Sequence, residues 1–246
     1  VGAPLYIYYN GIAAAEIWLA LAFFAISGLG ITVGYHRYFA HRSFRTSRAM
    51  QLVLAFGGGT AVQKGALWWA AHHRHHHRYS DQPEDVHSPR KGFWWSHAAW
   101  IFHSENRRTR SELIPDLMKY PELRFLDRFH HLPAFCLALT VYLVGGASAL
   151  FTGFFLSTVL TYHGTFFINS MAHVFGTRRF VTRDTSRNNL LLALITGGEG
   201  WHNNHHHYAV SARQGFYWWE IDITYYLLVC LSWLGIVRDL RPVPDR

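Results

Sequence analysis

The stretch that decides the fold is residues 129–177, FHHLPAFCLALTVYLVGGASALFTGFFLSTVLTYHGTFFINSMAHVFGT. It holds 49 residues and, with histidine neutral, no charge. About 20 apolar residues cross the hydrocarbon core as a helix, so this run has room for two crossings. Gly145-Gly146-Ala147-Ser148 falls where a turn would join them. The reading is a hairpin of two spans, 132–145 and 150–171. An earlier run, 17–35 (IWLALAFFAISGLGITVGY), predicts another span. Segment 48–71 is also apolar but carries Arg48, Gln51, Gln63 and Lys64, so it predicts one amphipathic helix in the interface. Segment 221–237 is too short to be a clear span and is placed in the interface as well.

Charge gives these spans a direction. Of 23 Lys and Arg, fifteen lie from Arg37 to Arg128 and eight from Arg178 to Arg246. The positive-inside rule puts both blocks in the cytoplasm, as caps over 72–128 and 178–246, and a hairpin at 132–171 returns the chain to the side it left. The visible N-terminus then lies on the far side, and a further span is expected upstream of Val1. The net charge of +8 thus reads as a topology label. A nucleic-acid binder is disfavoured, because no binding motif accompanies the basic residues. Two cysteines in apolar surroundings exclude a disulfide framework. The expected class is an all-α integral membrane protein forming one domain over 1–246.

The eighteen histidines carry the chemistry. His73, His76 and His77 stand at i, i+3 and i+4, and so do His202, His205 and His206; each trio shares one helix face. His36 and His41 are five apart and converge only if the helix ends or unwinds. His173 follows Asn169 by one turn. Nine imidazoles exceed the needs of one ion and suit two, and imidazole alone leaves the metal open among Zn, Cu, Fe and Ni. A metal-storage tract would not need this helical spacing.

With these motifs the sequence resembles the membrane fatty-acyl desaturases of the acyl-CoA Δ9 type, from about Ile17 to Ile236. The HxxxxH, HRxHH, HNxHH and NSxAH patterns are met by His36/His41, His73/Arg74/His76/His77, His202/Asn203/His205/His206 and Asn169/Ser170/Ala172/His173. The resemblance implies four transmembrane helices, three in this chain, under a cytosolic cap. It implies a di-iron centre held by His36, His41, His73, His76, His77, His173, His202, His205 and His206, with Asn169 acting through water. It implies O2 as co-substrate, electrons from a separate ferredoxin, cytochrome or reductase, and insertion of a cis double bond into a saturated acyl chain. Trp69 and Thr165 match positions lining the bend of the family's acyl tunnel. Phe24 and Gly28, 12 and 8 residues before His36, are expected to set its length.

Arg74, Arg78, Arg90 and Lys91 are the expected head-group residues. The acyl-CoA members' Arg-Lys pair is replaced here by Ser104-Glu105, with Arg107, Arg108 and Arg110 displaced downstream, which leaves acyl-CoA, acyl carrier protein and acyl-lipid open as substrates. His72, His75 and His207 fall outside the ligand pattern and are expected to be exposed. His87, His97, His103, His130, His131 and His163 carry no motif. The same histidines serve related hydroxylases and acetylenases, and a membrane metal transporter or sensor is the reading from another class. A transporter would put ligands inside the spans, whereas these lie at span ends. The metal site is expected on the cytoplasmic face of a bacterial inner or endoplasmic-reticulum membrane.

Overall fold

The computed structural model describes residues 2–243; positions 244–246, with the last basic residue Arg246, lie outside the described residues. The chain is helical: α1 Gly2–Asn10, α2 Ala14–Leu29, α3 Arg48–Gly59, α4 Ala66–Tyr79, α5 Phe93–His97, α6 Pro115–Met118, α7 Pro121–Arg128, α8 Leu132–Ser148, α9 Leu156–Asn169, α10 Leu190–Ile195, α11 His202–His207 and α12 Ile223–Trp233. One short antiparallel pair, β1 (Arg45–Thr46) and β2 (Val237–Arg238), ties the tail to the first third of the chain, with Arg45 opposite Arg238 and Thr46 opposite Val237.

Among the described residues, two helical segments, Ala14–Ala40 and Leu132–His173, are long and apolar enough to cross a membrane. Only 11% of the apolar window in the second is buried, so it is not the core helix of a soluble protein. That segment breaks at Gly146, whose φ of 66° lies in the left-handed region, where the sequence placed the turn. Its arms pack on each other through Val141, Ala149 and Phe154. At 11 residues, about 16 Å at 1.5 Å per residue, α12 is too short to span. It exposes Ile223, Tyr226 and Trp233.

Beyond Leu29, α2 widens into a π-helix over Gly30–Ala40. A Cβ on Gly30 would stand 2.7 Å from the Gly57 carbonyl, so the close crossing of this segment with α3 requires glycine there. The next stretch corrects the sequence reading. Residues 48–71 do not form one helix: α3 stops in Gly57-Gly58-Gly59, where helix propensity is lowest, and α4 starts only at Ala66. The intervening loop carries Val62 and Lys64 in left-handed conformation (φ 60° and 64°). Tyr35 Oη donates to the Lys64 carbonyl (3.1 Å), and Tyr162 Oη donates to that of Val62 (2.9 Å), which fixes the loop. The main core lies beneath it, centred on Tyr35, Phe39, Leu67, Ile114, Leu117 and Leu228.

Candidate metal centre

The π-helix resolves the one awkward spacing. Bonding of i to i+5, seen as the 3.1 Å bond from the His41 N–H to the His36 carbonyl, stacks residues five apart. His36 and His41 therefore converge, with ring centroids 4.8 Å apart. All nine predicted histidines meet, in two groups. His36, His41, His73, His77 and His205 form one, and His76, His173, His202 and His206 the other; within each, one nitrogen per ring lies within 4.8 Å of all the others. The division is mechanical. Helix α4 sends His73 and His77 to the first group and His76 to the second, while α11 sends His205 to the first and His202 and His206 to the second. The two helices thus divide their histidines between both groups.

The inward atoms are mostly Nε2. His41 and His73 approach at 2.8 Å, His205 and His77 at 2.9 Å, His36 and His205 at 3.0 Å, and His202 and His173 at 3.1 Å, all between Nε2 atoms. Four rings are held from behind by carboxylates that sequence reasoning missed. His36 Nδ1 pairs with Glu199, His76 Nδ1 with Asp85 (3.0 Å), His206 Nδ1 with Asp184 (2.7 Å) and His173 Nδ1 with Asp81 (3.4 Å). An Nδ1–H donated outward leaves Nε2 a bare lone pair facing inward. Lone pairs cannot hydrogen-bond one another, and His206 Nε2 is buried with no partner in the protein. Convergent bare imidazole nitrogens backed by carboxylates are the donor set a pair of cations requires, so the residues fit the di-iron group.

Electrostatics favour the neutral form of His41, His73, His77, His202, His205 and His206, whereas at His76 the Asp85 carboxylate outweighs burial and raises the ring. Burial, then the neighbouring imidazoles, hold His77, His202 and His205 well below the usual histidine range. Burial alone would raise the Asp85 and Asp184 carboxyls; His76 and His206 outweigh it and hold both below the usual carboxylate range.

Two cavities flank the centre. The first, about 310 Å³, is lined by Phe24, Gly28, Trp69 and Thr165 and by His36, His73, His76 and His202. The second, about 300 Å³, shares Trp69, His73, Thr165 and Asn169 with the first. In this shared wall Gln63 Nε2 donates to Thr165 Oγ1 (2.9 Å), and Trp69 Nε1 approaches Gln63 Oε1 at 3.4 Å. Gln63 was hidden in the sequence because it passed for a polar residue on an amphipathic helix.

The four head-group candidates lie outside the lining of both cavities. The Arg74 guanidinium is committed to Asp116 (2.7 Å) and to the carbonyls of Phe39, Ala40 and Leu113. Lys91 Nζ donates to the Asp85 carbonyl (2.7 Å), and Arg78 and Arg90 are exposed. His72 and His75 are buried rather than exposed, whereas His207 is exposed as expected and stacks on Phe180. His87, which carried no motif, stacks on His76 at 4.2 Å and joins it and Asp85 in a third cluster.

The fatty acid desaturase family model matches residues 13–229. The chain is 40% identical to an acyl-CoA C20 Delta5-desaturase of Anemone leveillei, over 92% of this chain and 74% of that protein. It is 38% identical to an sn-2 palmitoyl-lipid 9-desaturase of Nostoc sp. (strain 36), over 89% and 78%. It is also 38% identical to Delta-9 acyl-lipid desaturase 2 of Arabidopsis thaliana, over 97% and 77%. A match across most of the chain, together with the clustered histidine motifs, places the protein in the fatty acid desaturase family as a fatty-acyl desaturase.

Proposed function

We propose that this enzyme inserts a cis double bond at the Δ9 position of a saturated acyl chain, using O2, two external electrons and two iron ions. The observation that carries this reading is the position of the two imidazole groups beside the bend where the cavities meet. Two of the three relatives named above act at position 9, which supports the Δ9 assignment.

The bound irons would supply the O2 activation and hydrogen abstraction that no acid or base can perform on an unactivated methylene pair. His36, His41, His73, His77 and His205 would hold one and His76, His173, His202 and His206 the other, with Asn169 assisting through water. Glu199, Asp85, Asp81 and Asp184 keep four of the rings oriented. Trp69, Thr165 and Gln63 fix the bend, and the acyl tail lies toward Phe24 and Gly28. Positioning to about half an ångström decides which methylene pair reacts. Overall, two methylene hydrogens, O2, two electrons and two protons yield one double bond and two waters.

In this reading Ala14–Ala40 and the two arms of the 132–171 hairpin cross the membrane, and the metals lie on its cytoplasmic face under the basic caps. The electrons come from a separate ferredoxin, cytochrome or reductase. Expression in a host of defined lipids, followed by fatty-acid profiling with double-bond localisation, tests the function. Products lacking two hydrogens with unsaturation at carbon 9 are expected; products gaining an oxygen would identify a hydroxylase instead.

A further inference from the structure

The two imidazole groups differ in the charge that backs them. Behind the second stand three carboxylates: Asp85 on His76 (3.0 Å), Asp184 on His206 (2.7 Å) and Asp81 on His173 (3.4 Å). Among the described residues, only histidines form ion pairs with these three. Lys91 and Arg178 donate to the main-chain carbonyls of Asp85 (2.7 Å) and Asp184 (2.9 Å), not to the carboxylates. Behind the first group stands one carboxylate, Glu199 on His36, and that one is shared. Arg37, 1% exposed, sets one guanidinium nitrogen between Glu199 Oε1 (3.2 Å) and Asp222 Oδ1 (2.9 Å). Its other terminal nitrogen donates to the Ala212 carbonyl (2.7 Å), and Gln214 Nε2 donates to Glu199 Oε2 (3.1 Å).

An arginine keeps its charge at any pH the fold survives. Arg37, Glu199 and Asp222 together leave one net negative charge beside the first group, against three behind the second. A carboxylate behind an imidazole makes the ring a stronger donor and favours the higher charge on the ion it holds. A buried guanidinium drawing on the same carboxylate does the opposite, and burial keeps the difference from being screened away. We infer that the two ion positions are unequal in redox terms: Arg37, acting through Glu199 on His36, makes the first group the one that takes an electron first, and Asp81, Asp85 and Asp184 make the second group harder to reduce. Arg37 is thus a positioning residue, because it touches Glu199 and not the ion. The step is one-electron transfer. A reduced iron–sulfur or haem carrier loses one electron, a ferric ion in the first group becomes ferrous, and no covalent bond changes. A second carrier then reduces the ion in the second group.

Unequal potentials rest on the reading that both groups hold iron, so iron per chain is measured first and each preparation is brought to two. Purified full-length protein, without acyl substrate, is titrated with dithionite through a series of redox mediators. The ferrous fraction is followed by Mössbauer spectroscopy, a readout that does not depend on turnover. The wild type is expected to reduce in two resolved one-electron steps. Arg37→Met is expected to make the first step about tenfold less favourable, a fall of about 59 mV, with the second unmoved. Arg37→Lys keeps the charge and is expected to restore most of that shift. Asp184→Asn is expected to make the second step about tenfold more favourable with the first unmoved, and it tests the inequality even if Arg37→Met fails to fold. A folded Arg37→Met that loses thermal stability while both steps stay in place would show a structural role only and overturn the assignment of Arg37. Asp184→Asn moving the first step would overturn the inequality. Two irons per chain that reduce together in the wild type would overturn this inference alone, whereas one iron per chain in active protein would overturn the two-iron reading and this inference with it.

Discussion

Asp184 Oδ2 stands 2.7 Å from His206 Nδ1, while Nε2 of the same ring is buried without a partner in the protein. The carboxylate therefore selects the tautomer that leaves the inner nitrogen free for a metal. Asp184→Asn keeps the size but not the charge. It is expected to lower iron affinity by about 10–100-fold, read as iron retained after dialysis against a graded chelator series. Unchanged retention would mean that Asp184 does not tune His206.

Gln63 ties Thr165 to Trp69 at the bend between the cavities. Gln63→Leu removes both bonds at similar volume and should cost about 1–3 kcal/mol locally. The expected outcome is a mixture of double-bond positions, visible in product localisation by mass spectrometry. One unchanged position at reduced yield would show that the bend is fixed elsewhere.

Gly28 lines the first cavity, and a Cβ built on it meets nothing within 4 Å. Gly28→Leu has room to be tolerated in the fold and to shorten the space for the acyl tail. A methylene in an apolar pocket is worth about 1–3 kcal/mol, so preference should move several-fold or more toward shorter chains. An unaltered chain-length profile would remove Gly28 from the tunnel.

Arg74 holds the last carbonyls of the π-helix, at Phe39 and Ala40, and pairs with Asp116. Arg74→Met should therefore lower thermal stability, by about 1–3 kcal/mol since both partners are partly solvated, and weaken all acyl substrates alike. A selective loss of charged head groups would return Arg74 to substrate binding.

What was legible in the sequence was what repeats locally. The i, i+3, i+4 trios on α4 and α11 gave six inward-facing histidines directly, and the uncharged run gave the paired apolar arms with their turn at Gly146. What escaped depended on distance or on irregular backbone. His36 and His41 converge through a π-helix that no periodicity encodes, although their spacing announced that a straight helix would fail. Asp184 reaches His206 across 22 residues and Glu199 reaches His36 across 163, so neither has a local signal. The break at Val62–Lys64 was hidden because Gly57-Gly58-Gly59 sits in an otherwise helical pattern, and with it were hidden Gln63 and Lys64. His87 lacks a motif because its stacking on His76 arises from the turn after α4.

In the proposed mechanism the two imidazole groups each hold one iron in the active enzyme. This is tested most directly by measuring iron per polypeptide in purified protein that forms unsaturated product, beside His205→Ala and His206→Ala. Two irons per chain are expected in the wild type, and a loss of iron in each variant, drawn from a different group. One iron per chain in a fully active preparation, or two irons retained after either substitution, would contradict it.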